Sequence, residues 1–136
     1  MKLGFVSAIL DMCSYEQMMD FASENGFECV EVACWPEGKA ERRYAGVSHI
    51  DALKVLVNDT YAEHIKEYSR QKGVTISSLA YYPNTMDGNI EKRDMAIEHL
   101  KNVIKASQKL SIGMVTTFIG RDQTKTVEEN LELVKE

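Results

Sequence analysis

Cys29-Val30-Glu31-Val32-Ala33-Cys34-Trp35 reads as a β-strand with two unlike faces. Side chains alternate along a strand, so Val30, Val32 and Cys34 fall on one side and Glu31, Ala33 and Trp35 on the other. Pro36 stops the run. Upstream, Lys2 to Val6 alternates in the same way, and Ser14 with Gln17 three residues on forms a capping box that opens a helix ending at Gly26. Downstream, a long polar loop leads into helical sequence from about Ile50 to Lys72, stopped by Gly73. A third strand, Thr75 to Tyr82, ends in Pro83-Asn84. The helix after it, from about Ile90 to Leu110, carries Ile97, Leu100, Val103, Ile104 and Ala106 at helical spacing and is closed by Gly113. A fourth strand, Met114 to Gly120, leads through Arg121-Asp122 to Thr126-Val127-Glu128-Glu129, a second capping box. The chain stops at Glu136, about three turns into the helix this box opens.

Alternating strands and helices mean parallel pairing and right-handed crossovers. Two architectures use such units: an open doubly wound sheet, and a (β/α)8 barrel, for which about 250 residues is typical. A doubly wound sheet is apolar on both faces, whereas a barrel interior near its mouth tolerates polar groups. Glu31 on the second strand, and Ser78, Ala80, Tyr82 and Asn84 along one face of the third, favour the barrel. No glycine-rich phosphate loop follows the first strand, where Ser7-Ala8-Ile9-Leu10-Asp11 stands instead. The α/β chain therefore reads as one domain over residues 1–136, four βα units of a TIM barrel, or half a barrel.

Composition narrows the function classes. With 44% apolar residues the chain can build a core, and a formal charge of -5 gives no footprint for nucleic acid. No membrane segment is expected. The short apolar start is cut by Asp11 and reads as a barrel strand rather than a signal peptide. Three cysteines, Cys13, Cys29 and Cys34, lack metal-type spacing, and Cys29 and Cys34 point to opposite faces; they read as reduced thiols of a cytoplasmic protein. Met18, Met19 and Met95 read as helix core, and His64 and His99 as surface or packing residues.

The runs Ile76-Ser77-Ser78-Leu79-Ala80-Tyr81-Tyr82-Pro83-Asn84 and Val115 to Asp122 (VTTFIGRD), with Val30-Glu31-Val32 after Gly26-Phe27, resemble the first half of a sugar phosphate isomerase/epimerase of the xylose isomerase-like TIM barrels. The resemblance covers essentially the whole chain, including His49-Ile50-Asp51. It implies four further units after Glu136 and a divalent metal (Mn, Mg, Co or Zn) that polarises a sugar carbonyl, held by ligands from the later strands. The metal ligands and catalytic glutamates are thus expected beyond residue 136, with no metal bound and no activity from this chain alone. Endonuclease-like relatives place metal histidines at the ends of strands three and four. Tyr82 and Phe118 stand at those places here, and the acidic charge also argues against a DNA-binding phosphodiesterase.

Barrel active sites lie at the carboxyl ends of the strands, so Trp35, His49, Tyr82, Asn84 and Arg121 are the candidate substrate-binding residues. Trp35 either stacks on the C–H face of a sugar or plugs the barrel mouth. Tyr82 and Asn84 hydrogen-bond hydroxyls, unless Asn84 serves the turn after Pro83. Arg121 either binds a phosphate or carboxylate or pairs with Asp122. His49 either touches substrate or caps the helix near Ile50. Glu31, mid-strand, is read as orienting a neighbour. Lys39, Arg42, Arg43 and Tyr44 lie in the loop from Pro36 to His49, which is either a cationic lid or a solvated loop. The expected partners are a small-molecule sugar and either a second copy or the missing carboxyl-terminal half, because an isolated half-barrel leaves two open edges. The other reading of the same chain is a non-catalytic half-barrel that binds or self-assembles.

Overall fold

Strand order follows chain order. In the structure, a computed structural model that describes residues 1–36 and 45–135, β1 (Gly4–Val6), β2 (Cys29–Ala33), β3 (Thr75–Ala80) and β4 (Val115–Thr116) form one parallel sheet in the order β1-β2-β3-β4. A doubly wound sheet reverses its order so that helices cover both faces. Here the order never reverses, and right-handed crossovers carry the helices to one side, as in a barrel. They are α1 (Tyr15–Glu24), α2 (Ala52–Val57), α3 (Asp59–Lys72), α4 (Ile90–Lys109) and α5 (Val127–Leu133). Four units of a TIM barrel are therefore present, as expected.

One core cluster joins the sheet to the helices. Val30 and Val32 from β2, Cys34 just after it and Leu79 from β3 are fully buried with Met18, Met19, Val55, Ile65 and Val103 from the helices. Each such apolar side chain contributes about 1.5–3 kcal/mol by burial. The opposite face of β2 carries Glu31, as the alternation requires. Register between β2 and β3 runs Val30 to Ile76 and then Glu31 to Ser78, leaving Ser77 as the extra residue of a β-bulge. The bulge lets Ile76 and Leu79, three apart, both pack toward the helices while Ser78 stays opposite Glu31.

Both capping boxes form. Ser14 and Gln17 exchange hydrogen bonds of 2.9 and 3.2 Å at the start of α1, and Thr126 and Glu129 exchange bonds of 2.7 and 3.2 Å at the start of α5. Gly73, in the left-handed region at φ 68°, ends α3.

Four expectations need correction. The helix from Ile50 to Lys72 is two helices: Asn58 is extended at φ -130°, ends α2, and caps α3 by accepting the Tyr61 N–H at 2.9 Å. Gly113 does not close α4. The chain reverses at Ser111, a non-glycine residue at φ 59°, directly after the helix. The fourth strand is only Val115–Thr116, because β3 stops at Ala80 and leaves the following residues no ladder to join. Met95 is 68% exposed rather than core, since the buried face of α4 runs through Ala96, Val103 and Ala106. No helix among the described residues is long and apolar enough to cross a membrane.

Candidate functional site

Glu31 lies on the sheet face opposite the helices, where two neighbours on the β3 segment bind it. Ser78 Oγ donates to Glu31 Oε2 at 3.0 Å, and the Tyr82 hydroxyl donates to Glu31 Oε1. Residues 31, 78 and 82 thus meet on one face, as the alternation predicts. Loss of water around the ring raises the Tyr82 pKa above the usual phenol value, and donation to the carboxylate raises it further. Phe118, 62% exposed, packs on Tyr82 with ring centroids 4.6 Å apart. Below this group the same face continues as an open groove lined by Val6, Cys29, Glu31 and Ser77.

At the carboxyl ends of β3 and β4 the connecting loops are tied together. Asn84 Oδ1 accepts the Arg121 N–H at 2.9 Å, and Asn84 Nδ2 donates to the Arg121 carbonyl at 2.8 Å. Thr85 Oγ1 donates to the Ile119 carbonyl at 2.7 Å. Between them Gly120 sits at φ 81° with no room for a Cβ, which would run into the Asn84 amide. Asn84 also accepts the Met86 N–H at 3.1 Å, so it serves its own turn and the neighbouring loop together. The Arg121–Asp122 ion pair does not form. Asp122 Oδ1 accepts from the Thr124 backbone N–H and hydroxyl at 2.9 and 2.7 Å, which lowers the Asp122 pKa. Among the described residues no carboxylate pairs with the exposed Arg121 guanidinium.

His49 is 5% exposed and joins β2 to the turn that follows β1. Its Nε2 faces the Leu10 carbonyl at 3.1 Å and its Nδ1 faces Ser7 Oγ at 3.0 Å, while Ser7 Oγ accepts the Ala33 N–H at 2.8 Å. A carbonyl only accepts, so Nε2 carries the proton and Nδ1 accepts from Ser7. Burial lowers the His49 pKa, which favours this neutral ring. His49 therefore staples the mouth of the first two units. It does not cap α2, since Asp51 does so by accepting the Lys54 N–H at 3.0 Å.

Trp35 stands apart from Tyr82. Its ring meets Tyr81 edge-on at 5.0 Å, and Tyr81 in turn meets His99 of α4 at 4.7 Å. His99 Nε2 lies 2.8 Å from the Cys34 carbonyl, a packing role as expected, and His64 pairs with Glu16 at the surface. Of the five predicted residues, the structure brings Asn84 and Arg121 into direct contact, places Tyr82 just before them, and sets Trp35 and His49 elsewhere. Lys39, Arg42, Arg43 and Tyr44 lie outside the described residues.

Sequence reasoning missed Ser7, and it did not connect Phe118 to Tyr82. The Ser77-Ser78 pair between Ile76 and Leu79 was the available signal for a bulge.

The family model described as xylose isomerase-like TIM barrel matches residues 19–136. The chain belongs to the xylose isomerase-like TIM barrel family. Nine solved chains match this member in fold. One is the probable 3-DHS dehydratase AsbF, involved in petrobactin synthesis, from Bacillus anthracis, with a TM-score of 0.58 and 16% identity over 87% of this chain. This chain spans 38% of the length of that structure, and a likeness at such identity shows the fold alone. No curated protein matches.

A divalent metal is the group this xylose isomerase-like family implies. Among the described residues no three His, Cys, Asp or Glu side chains come together to hold one. The Glu31 carboxylate on the interior face already has a protein hydroxyl on each oxygen. The residues present do not by themselves fit the ion.

Proposed function

We propose that this chain forms the amino-terminal, substrate-facing wall of a sugar or sugar-phosphate isomerase or epimerase. The observation that carries the reading is the Tyr82–Glu31–Ser78 group on the interior face, below the loops held by Asn84 and Arg121. Active sites of this architecture sit at the carboxyl ends of the strands, where these loops lie. Tyr82 and Phe118, their rings tilted by 38°, offer an apolar surface with one polar oxygen, suited to a sugar's C–H face and one hydroxyl. Arg121, without a carboxylate partner among the described residues, suits a phosphate end. On this reading the divalent ion and the groups that move the proton belong to residues outside this chain.

The test uses the natural-length protein that carries this sequence, incubated in deuterated water with manganese and a panel of aldose and ketose phosphates. Deuterium should enter at the carbon next to the carbonyl, and Tyr82→Phe should slow that exchange at least tenfold. Absence of exchange and of binding across the panel would overturn the reading.

A second reading, a half-barrel that assembles without catalysis, is favoured by the apolar groups left open beside the sheet. Val6 is 41% exposed, and Met114, Phe118 and Ile119 each exceed half exposure.

A further inference from the structure

Tyr82 has one proton to give, and it is already given. The hydroxyl donates to Glu31 Oε1, while the other carboxylate oxygen is held by Ser78 at 3.0 Å, so the Tyr82 phenol is kept pointing along the wall. Thr116 is a further polar neighbour of the Tyr82 oxygen and offsets part of the rise in the Tyr82 pKa, while its hydroxyl also reaches the Leu79 carbonyl at 3.4 Å. Among the described residues no Lys or Arg forms an ion pair with Glu31. A phenol oxygen whose proton is committed keeps only its lone pairs for a ligand, and a carboxylate is an acceptor throughout.

We propose that Tyr82, positioned by Glu31, meets its substrate only as a hydrogen-bond acceptor, so this wall selects a sugar hydroxyl and turns away carbonyl, carboxylate and phosphate oxygens. The inference rests on the sugar-processing reading and fixes the direction of the substrate within it. The hydroxyl-bearing part of the sugar lies over Tyr82, and an anionic end lies toward Arg121. Glu31 touches no substrate and acts through Tyr82. Ser78 locks the second carboxylate oxygen so that the carboxylate cannot turn away.

Two measurements test this. The first needs no ligand: tyrosines labelled with 13C at Cζ are titrated in the wild type and in Glu31→Gln, with Tyr82→Phe assigning the signal. Loss of the charged acceptor should move the Tyr82 midpoint down, and an unmoved midpoint would overturn the inference. The second compares the natural-length protein's affinity for a sugar phosphate with that for its deoxy and deoxyfluoro analogues, position by position. Fluorine accepts but cannot donate. At one position both analogues should bind about tenfold more weakly, the size of one hydrogen bond, and Tyr82→Phe should erase that difference. A deoxyfluoro sugar that binds like its parent at the position where the deoxy sugar fails would show Tyr82 donating, against the proposal. Failure of every sugar to bind would instead remove the functional reading and leave the titration to decide the proton's place.

Discussion

The side-chain amide of Asn84 grips the backbone of Arg121 at both its N–H and its carbonyl, 2.9 and 2.8 Å away, so one side chain splices the loop after β3 to the loop after β4. Arg121 takes part through its main chain alone. Asn84→Ala should therefore cost about 1–2 kcal/mol in urea unfolding, whereas Arg121→Ala should stay within about 0.5 kcal/mol. Equal losses for the two variants would show that the arginine side chain, not its backbone, holds the loops.

Gly120 is the hinge of the same splice. At φ 81°, with the Asn84 amide where a Cβ would stand, Gly120→Ala should destabilise by about 1–3 kcal/mol, and with Asn84→Ala already present it should lose the clash with the amide and keep the backbone strain, so that it costs less. Additive losses in that double-mutant cycle would separate the two residues.

His49 predicts how stability depends on pH. Its folded pKa lies below the unfolded value near 6.5, so between the two the unfolded chain takes up a proton that the folded chain refuses. The contribution of His49 is fully present above about pH 6.5 and is lost as pH falls through the folded pKa, at no more than about 1.4 kcal/mol per pH unit. Melting temperatures measured from pH 8 to 5 should fall more steeply in the wild type than in His49→Gln; parallel curves would contradict the buried neutral ring.

Ser111 pays for the turn after α4 with a left-handed backbone that glycine adopts without strain. Ser111→Gly should raise stability by up to about 1 kcal/mol, read from the urea midpoint, and a lower midpoint would mean the serine side chain is needed there.

The open face predicts association. With Val6, Met114, Phe118 and Ile119 exposed beside the sheet, the chain prepared by itself should appear in light scattering as a dimer or larger. A cooperatively melting monomer would count against the assembly reading.

Much of the fold was legible because its signals are local. Ser14 with Gln17 and Thr126 with Glu129 are caps that act within one turn, and the alternation of Val30, Glu31 and Val32 needs no knowledge of a partner strand. What escaped depends on distant contacts or on competing local signals. The Asn58 cap sits inside a run whose apolar spacing continues across it. The length of β4 is set by where β3 ends, and Ser111 takes a conformation its side chain does not advertise. At the site, the polar face of β3 could be read from period two, but the Tyr82–Glu31 and Asn84–Arg121 pairings span 51 and 37 residues. Trp35 followed its neighbour Tyr81 toward α4 once the ladder of β2 had ended.

The sequential strand order has a consequence for how the chain comes into being. Each new strand pairs only with the one made just before it, so every docking step closes a single helical connection rather than a loop that spans the whole chain. Synthesis from the amino terminus delivers the strands in the order in which the sheet needs them. The wall carrying Glu31 can wait, half-built, for Tyr82 to leave the ribosome.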